Sequence, residues 1–187
     1  SEAEIDHQLG LIIEIAKSHN PVELREAQDA DEAGRIWLGR KSAFGAMGQI
    51  NDYMCLDGTI PVTELPYVLR RIGELSKQYG LGVANVFHAG DGNMHPLILF
   101  DANKPGDLEL CEDMGADILK LCVEVGGCLT GEHGVGVEKR DLMLHQYSPE
   151  DLEAQLKVKD VFDPQWLLNP AKVFPLSVTE ARRAVSV

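Results

Sequence analysis

The stretch LGVANVFHAGDGNMHPLILF, from Leu81 to Phe100, decides the fold that the sequence predicts. Its two ends are short, apolar and rich in residues that favour β-structure, and a loop with two glycines joins them, which predicts a hairpin or two adjacent strands. His88 ends the first segment and His95 begins the second, so strand pairing would let the two imidazoles converge on one metal ion. The alternative is a hairpin with two incidental histidines, and the spacing alone does not choose between them.

A second glycine-rich loop, TGEHGVG from Thr130 to Gly136, holds Glu132 and His133 side by side. Successive side chains of an extended chain point to opposite faces, so these two residues can take separate roles. Two histidines and a carboxylate form a known ligand set for a metal with an open coordination position, and catalysis needs a further acid–base group beside it. Together the loops favour a metal or polar active site over a solvated turn, with Asp91 predicted to support the first loop or to accept a hydrogen bond from a ligand.

The segments around these loops predict a fold of the α+β class. Apolar residues recur at helical spacing in a segment that ends at Asn20-Pro21 and again from Ile36 to Met47. A third helix is predicted from Thr63, as its N-cap, to Gly80. Strands and helices do not alternate strictly, which favours an antiparallel sheet with helices packed on one face.

The second half of the chain predicts two more helices. The longer runs from about Asp107 to Val125, and its predicted buried side consists of Leu108, Cys111, Met114, Ile118, Leu119 and Cys122. Ser148-Pro149 begins the last predicted helix, with serine as the cap and proline at the first helical position. An irregular segment follows, and a mobile tail is expected from Ser177.

Composition excludes several classes of protein. A chain of 187 residues can bury a core as one domain, and its formal net charge of −13 argues against binding nucleic acid or an anionic membrane surface. No apolar run is long enough for a membrane span, and the first residues do not resemble a signal peptide. The four cysteines lack CxxC spacing, so we predict buried, reduced thiols and a cytoplasmic compartment.

Other polar residues give weaker signals. Arg40, on a largely apolar helix, could bind a carboxylate, although a surface residue is the commoner outcome for such a pattern. His7 and His19 are predicted to be exposed, and His145 to lie in the last turn of a short helix. The glycines do not match a dinucleotide-binding fingerprint, so the chain itself offers no nucleotide-phosphate cradle.

Three separated motifs resemble the C-terminal domain of FAD-linked oxidases of the vanillyl-alcohol-oxidase type. They are NVFHAGDGNMHPLILFD, GEHGVGVEKRDLM and FDPQWLLNPAKVFP. The family includes D-lactate and D-2-hydroxyglutarate dehydrogenases, and from about Ala27 to Pro175 the chain most resembles flavin subunits of bacterial glycolate oxidases. The resemblance implies a ferredoxin-like sheet covered by helices. It implies a substrate-binding cap domain over residues 1–175, a tail over 176–187 and a separate N-terminal domain that binds FAD.

The resemblance also implies roles for individual residues. The family's metal ligands match His88, His95 and Glu132, with Zn, Mn and Fe as candidate ions. The histidine that acts as the base on the substrate hydroxyl matches His133, and the arginine that binds the substrate carboxylate matches Arg40.

Asn169 and Lys172 match the terminal LNPGK segment that approaches the flavin, although Ala171 stands here where the family usually has glycine. Cys55 stands where hydroxyglutarate-type members carry a lysine, and Leu97 replaces a polar residue of the same members. Both departures point toward a small monocarboxylate such as glycolate or D-lactate.

The predicted function is therefore the substrate- and metal-binding C-terminal domain of a flavin-dependent 2-hydroxy-acid dehydrogenase, with this chain inactive alone. Its expected partners are a small 2-hydroxy acid, the FAD domain, and other oxidase subunits or an electron acceptor, but neither nucleic acid nor a membrane interior. The alternative is a non-catalytic module that binds a metal or ligand and retains the fold. An upstream reading frame for a FAD domain would favour the enzyme.

Overall fold

The computed structural model describes residues 1–183, and the chain forms two compact units, one up to Ala43 and one from Phe44 onward. The helices are α1 (Glu2–Ser18), α2 (Ala30–Lys41), α3 (Ala43–Met47), α4 (Leu65–Tyr79), α5 (Asp107–Glu124), α6 (Met143–Gln146), α7 (Pro149–Phe162) and α8 (Leu176–Arg183). The strands are β1 (Asp52–Cys55), β2 (Gly58–Thr59), β3 (Val83–Asn85), β4 (Asn93–Met94) and β5 (Pro96–Phe100). The predicted α+β class is confirmed.

The first unit consists of α1 and α2 with an irregular segment between them. The predicted end of the first helix is confirmed, because α1 stops at Ser18 and Asn20 then adopts a positive φ of 51° before Pro21. The side chain of Asp29 accepts a hydrogen bond from the Glu32 amide and so caps α2. Arg40 lies in the last turn of α2, where its side chain is exposed.

The sheet of the second unit confirms the hairpin. Strand β5 lies between β1 and β3, and both neighbours are antiparallel to it. Beyond β3 the pairing continues, because the Val86 amide donates to the His95 carbonyl (3.2 Å) and the His88 amide donates to the Asn93 carbonyl (3.0 Å). His88 and His95 therefore lie on opposite arms of the hairpin at the same end of the sheet.

A smaller sheet pairs β2 with β4 and draws the second glycine loop toward the first. Thr59 of β2 forms an antiparallel bridge with Cys128, which precedes that loop. Gly92, at the turn of the hairpin, has φ of 71°, and a Cβ there would collide with the Ile60 carbonyl. Only glycine fits this close approach without strain.

The core of the second unit lies between the three-stranded sheet and helices α4 and α5, and α5 packs on both β5 and β2. Helix α7 contributes Leu152 and Leu156, both fully buried, and its N-terminus carries the predicted cap, with Ser148 and Asp151 forming a capping box. The segment predicted as one helix from Ile36 to Met47 is instead divided at Ser42 between α2 and α3. The other predicted helices are confirmed in position, and α4 ends at Gly80 in the left-handed conformation expected.

Four further details of the prediction are wrong. Thr63 lies inside a short 3-10 turn rather than capping α4, which begins at Leu65 without a side-chain cap. Leu108 is exposed because it falls on the outer side of the first turn of α5, whereas the other five predicted positions are buried. Cys128 is also exposed, and Cys55 is only half-buried.

The tail predicted from residue 176 begins with helix α8, in which Thr179 is buried and its hydroxyl donates to the Pro175 carbonyl (3.4 Å). Residues 184–187 of the predicted tail lie outside the described residues. The boundaries of the cap domain, residues 1–175, stay a prediction. Among residues 1–183, no helix combines the length and apolar character that a membrane span requires.

Candidate metal centre and active site

Four side chains from the two glycine loops meet at one end of the sheet. The Glu132 Oε1 atom lies 3.0 Å from His95 Nε2, 3.9 Å from His88 Nε2 and 3.9 Å from His133 Nε2. The sequence predicts that these residues converge, and the structure brings them together around one carboxylate oxygen.

His95 forms the inner wall of this cluster. Its side chain is only 4% exposed, whereas those of His88, Glu132 and His133 are about half exposed. The His133 ring stacks on the His95 ring at 5.1 Å between centroids and an angle of 12°, and the His88 ring meets it edge-on at 5.4 Å. The buried imidazole is thus fixed by its neighbours, and the exposed groups can meet a ligand from solvent.

The hydrogen bonds of His95 fix its tautomer. Its Nδ1 lies 2.9 Å from the Leu56 carbonyl oxygen, which can only accept, so Nδ1 carries a proton. In the neutral ring Nε2 then presents a lone pair toward the Glu132 carboxylate, 3.0 Å away. Two acceptors at this distance repel each other unless a proton or a cation lies between them. The pair therefore has the donor chemistry of a cation site.

Asp57 holds the second glycine loop in place, and sequence analysis missed it. Its carboxylate is fully buried and accepts hydrogen bonds from the Thr130 hydroxyl (2.6 Å) and from the backbone amides of Gly131 (3.1 Å) and His133 (2.9 Å). The amide of Glu132 donates to both of its oxygens, at 3.1 and 3.2 Å. The backbone that carries Glu132 and His133 is therefore anchored on one carboxylate.

Lys139 completes this buried cluster. Its ammonium group donates to Asp57 Oδ2 at 3.1 Å, and its side chain is 5% exposed. The amide of Gly134 also donates to the Thr130 hydroxyl (2.8 Å), so every residue from Thr130 to Gly134 takes part in one network. A buried charge pair of this kind depends on further hydrogen bonds, which the loop amides and the Thr130 hydroxyl supply to Asp57.

This network makes the free energy of unfolding depend on pH in the acid range. Burial by itself would raise the pKa of Asp57, but the hydrogen bonds from Thr130, from the His133 and Glu132 amides and from Lys139 outweigh it and hold this pKa well below its usual range. Because the folded pKa lies below the unfolded value of about 3.9, the carboxylate stabilises the fold above that value, and the contribution is lost as pH falls toward the folded pKa.

We therefore expect the free energy of unfolding to fall as pH is lowered from about 5 to about 2, measured by urea denaturation at each pH. Partial burial would raise the pKa of Asp117, but hydrogen bonds from Tyr79 and Lys120 lower it, so this group adds to the loss with the same sign. A free energy of unfolding that stays level or rises over this interval would contradict the assignment.

Two open pockets are lined by residues of this cluster. One, of about 350 Å³, is lined by Thr59, His88, Asp91, Asn93, Gly131 and Glu132. The Asn93 Oδ1 atom is buried there and is without a hydrogen-bond partner among the described residues. The other, of about 420 Å³, is lined by Tyr53, Met54, Cys55, Phe100, His133 and Glu138. The first is rich in oxygen ligands, and the second brings a thiol and an imidazole to its wall.

Two combinations of side chains bring possible ligand atoms within 4.8 Å of one another. One is Asp57, His95, Glu132 and His133, and the other is Cys55, His95 and His133. Asp57 is not free to bind a cation, because both of its oxygens are occupied by donors. The atoms left for a metal in the first combination are those of His95, Glu132 and His133, and His88 lies beside them.

The remaining predicted residues lie elsewhere. Arg40 belongs to the first unit, and its role stays a prediction. Asn169 and Lys172 are exposed in the irregular segment after α7, and Ala171 between them has a positive φ of 62°, which glycine would adopt without strain. This segment is tied to the second glycine loop, because the Val173 amide donates to the Gly136 carbonyl at 2.8 Å.

Comparisons with known proteins agree with this picture. A family model described as FAD linked oxidases, C-terminal domain, matches residues 1–173. Glycolate oxidase subunit GlcD of Escherichia coli (strain K12) is 51% identical over 175 residues, which cover 93% of this chain and 35% of that protein. GlcD of Bacillus subtilis (strain 168) is 31% identical and is covered to 38%, with 97% of this chain aligned.

A more distant relative is the mitochondrial D-lactate dehydrogenase (cytochrome) of Kluyveromyces lactis, 28% identical over 94% of this chain and 31% of that protein. The chain thus spans about a third of the length of the curated relatives it matches.

Proposed function

The chain belongs to the family of C-terminal domains of FAD linked oxidases, and from this premise we propose that it forms the metal- and substrate-binding side of a flavin-dependent 2-hydroxy-acid dehydrogenase. The FAD would be held mainly by a separate N-terminal domain, with Asn169 and Lys172 facing it from this chain. The names of the relatives, glycolate oxidase subunit and D-lactate dehydrogenase, support a small 2-hydroxy acid as substrate.

We propose that His88, His95 and Glu132 hold a divalent cation. The observation that carries this proposal is the convergence of His95 Nε2 and His88 Nε2 on one carboxylate oxygen, Glu132 Oε1, at 3.0 and 3.9 Å. The exposed His88 imidazole and the orphaned Asn93 oxygen in the adjoining pocket also fit a cation site. A divalent ion bound there would act as a Lewis acid that lowers the pKa of the substrate hydroxyl.

His133 is proposed as the base that takes the proton from that hydroxyl. Its ring is half exposed and stacks on His95, so it can reach a substrate without leaving the cluster. The Asp57 carboxylate holds its backbone amide and so limits how far the ring can move. An imidazole is suited to this step because its ordinary pKa lies near neutral pH.

The substrate carboxylate is assigned to Arg40, whose guanidinium can bind it through two hydrogen bonds. Cys55 and Leu97 supply no second cation, which favours a monocarboxylate over a dicarboxylate. FAD, when bound, would accept the hydride from the carbon that carries the hydroxyl. We expect the chain without a flavin-binding domain to bind a metal but not to turn over glycolate.

Metal binding tests the proposal directly. Protein purified without chelator, or reconstituted with Zn²⁺, Mn²⁺ or Fe²⁺, should hold about one ion per chain by mass spectrometry, and the double variant His88→Ala, His95→Ala should lose it, because two of three ligands are gone. The matched control is His7→Ala, His19→Ala, which changes two exposed histidines of the first unit and should keep the ion. Equal metal content in both double variants would overturn the assignment.

A further inference from the structure

We propose that Cys55, His95 and His133 form a second, thiolate-containing metal site that binds soft divalent ions such as Cd²⁺ and Zn²⁺. This set differs from the one proposed above in two of its three residues, since it replaces His88 and Glu132 with Cys55 and His133. Only His95 is common to both. The two sites would therefore compete for one imidazole rather than fill together.

The geometry already brings the three ligand atoms together. The Cys55 sulfur and one ring nitrogen each of His95 and His133 lie within 4.8 Å of one another. Ligands around a tetrahedral zinc ion, at about 2.3 Å for sulfur and about 2.0–2.1 Å for nitrogen, are separated by roughly 3.5 Å. Side-chain rotations that move each atom by about 1 Å would close the set, with no change in the sheet.

The local fold explains why the sulfur faces the imidazoles. Cys55 is the last residue of β1 and pairs with Leu97 of β5, two residues after His95. Alternation along β1 directs Tyr53 and Cys55 to one face of the sheet and Met54 to the other, where it packs in the core. The thiol is therefore held at the end of the sheet beside His95 rather than in the apolar interior.

An ion can reach this set from solvent. Cys55 and His133 line the open pocket of about 420 Å³, whereas His88 and Glu132 line the other pocket. Glu138 also lines this pocket and adds a negative charge that attracts cations. The exposed ligands of the two sets therefore lie in different pockets.

The donor types decide which ions each site prefers. A thiolate with two imidazoles suits thiophilic ions, whereas a set that includes a carboxylate also accepts harder ions such as Mn²⁺. Burial and the Asp57 carboxylate raise the pKa of the Cys55 thiol, so at neutral pH it keeps its proton until an incoming ion displaces that proton to solvent. No electron transfer is involved.

An ion on the set of His88, His95 and Glu132 would support the reaction, whereas an ion on the Cys55 set would inhibit it. An ion on the Cys55 set occupies His133, which the proposed function uses as the base, so binding there would inhibit turnover. That consequence rests on the proposed function, but the binding itself does not. Zn²⁺ in excess would thus act differently from Mn²⁺, because only the softer ion would bind the Cys55 set as well as the alternative set with His88 and Glu132, one at a time.

The test is a titration of the whole chain with Cd²⁺, followed by the ultraviolet charge-transfer band of a cadmium–thiolate bond. Cys128 is exposed and could bind Cd²⁺ alone, so every variant is made in a Cys128→Ser background. We expect the background protein to give a saturable band with one ion per chain. Adding Cys55→Ser should abolish the band, and adding His133→Gln should weaken Cd²⁺ binding at least about tenfold.

His88→Ala distinguishes this site from the oxygen-containing one. It should leave the cadmium band unchanged while it lowers the affinity for Mn²⁺, and Cys55→Ser should do the reverse. A band that survives Cys55→Ser, or one that is lost with His88→Ala, would overturn the thiolate site. If none of Mn²⁺, Zn²⁺ and Fe²⁺ binds in a way that depends on His88, the proposed metal site fails while the cadmium band still decides the second site. Circular dichroism confirms that each variant is folded.

Discussion

Replacing His133 by Gln in the flavin-containing enzyme lowers kcat about 10²- to 10⁴-fold, because general-base catalysis by a positioned side chain contributes this much. Gln keeps hydrogen-bonding atoms at the position but cannot take a proton at neutral pH. The ion content is measured alongside, because loss of an ion would also lower the rate and must be separated from loss of a base. The measurement is steady-state oxidation of glycolate and of D-lactate with an artificial electron acceptor.

The pH profile separates a base from a structural residue. If His133 takes the proton, kcat/KM of the wild type rises with pH on the acid side of the profile, and the variant loses this dependence. His145→Gln is the matched control: His145 lies in the last turn of α6 beside Glu124 (3.9 Å), so its loss should leave turnover unchanged. A His133→Gln enzyme with the wild-type rate and profile would refute the assignment.

Replacing Asp57 by Asn should lower the free energy of unfolding by about 3–5 kcal/mol, because removal of one member of a buried ion pair leaves the other uncompensated. Lys139, 5% exposed, would remain as a buried ammonium group without its carboxylate. The asparagine side chain could still accept hydrogen bonds from some of the loop amides, so the loss comes mainly from the charge. Urea denaturation at neutral pH measures it.

Two further variants identify the cause. Lys139→Met in the Asp57→Asn background should recover part of the loss, since the orphaned charge is removed. Asp141→Asn removes a carboxylate that is 74% exposed and lies 3.5 Å from Arg140 Nε, and it should cost less than about 1 kcal/mol. If Asp57→Asn costs no more than Asp141→Asn, the network around the second glycine loop does not stabilise the fold as argued.

The sequence contains enough information to predict the hairpin and the convergence of its two histidines. Two runs of β-forming residues around a glycine loop indicate antiparallel pairing, and pairing by itself brings His88 and His95 to the same end of the sheet. Glu132 and His133 could be added because an acidic residue and a histidine between glycines are unusual for a solvated turn. Their proposed roles stay predictions, whereas their proximity is observed.

Asp57 could not be predicted from its surroundings in the sequence. Asp-Gly is a common turn pair, so CLDGTIP indicates a strand followed by a turn and no more. The partners of Asp57 lie 73 to 82 residues further along the chain, and no local pattern relates them. The burial of Lys139 was missed for a similar reason. Lysines are rarely buried, and this one is buried because it pairs with the distant Asp57. The prediction that Leu108 is buried was wrong because the periodicity of one helical turn does not distinguish a core position from a position at the edge of the core.

Leu56 and Asp57 are consecutive residues, and each orients one half of the candidate centre. The Leu56 carbonyl fixes the His95 ring, and the Asp57 carboxylate fixes the backbone of Glu132 and His133. Both depend on the alignment of β1 with β5, in which Cys55 faces Leu97. A slip of one residue would exchange the two faces of the strand and disconnect both halves together. We therefore expect local opening of β1 to displace His95 and the backbone of Glu132 and His133 together.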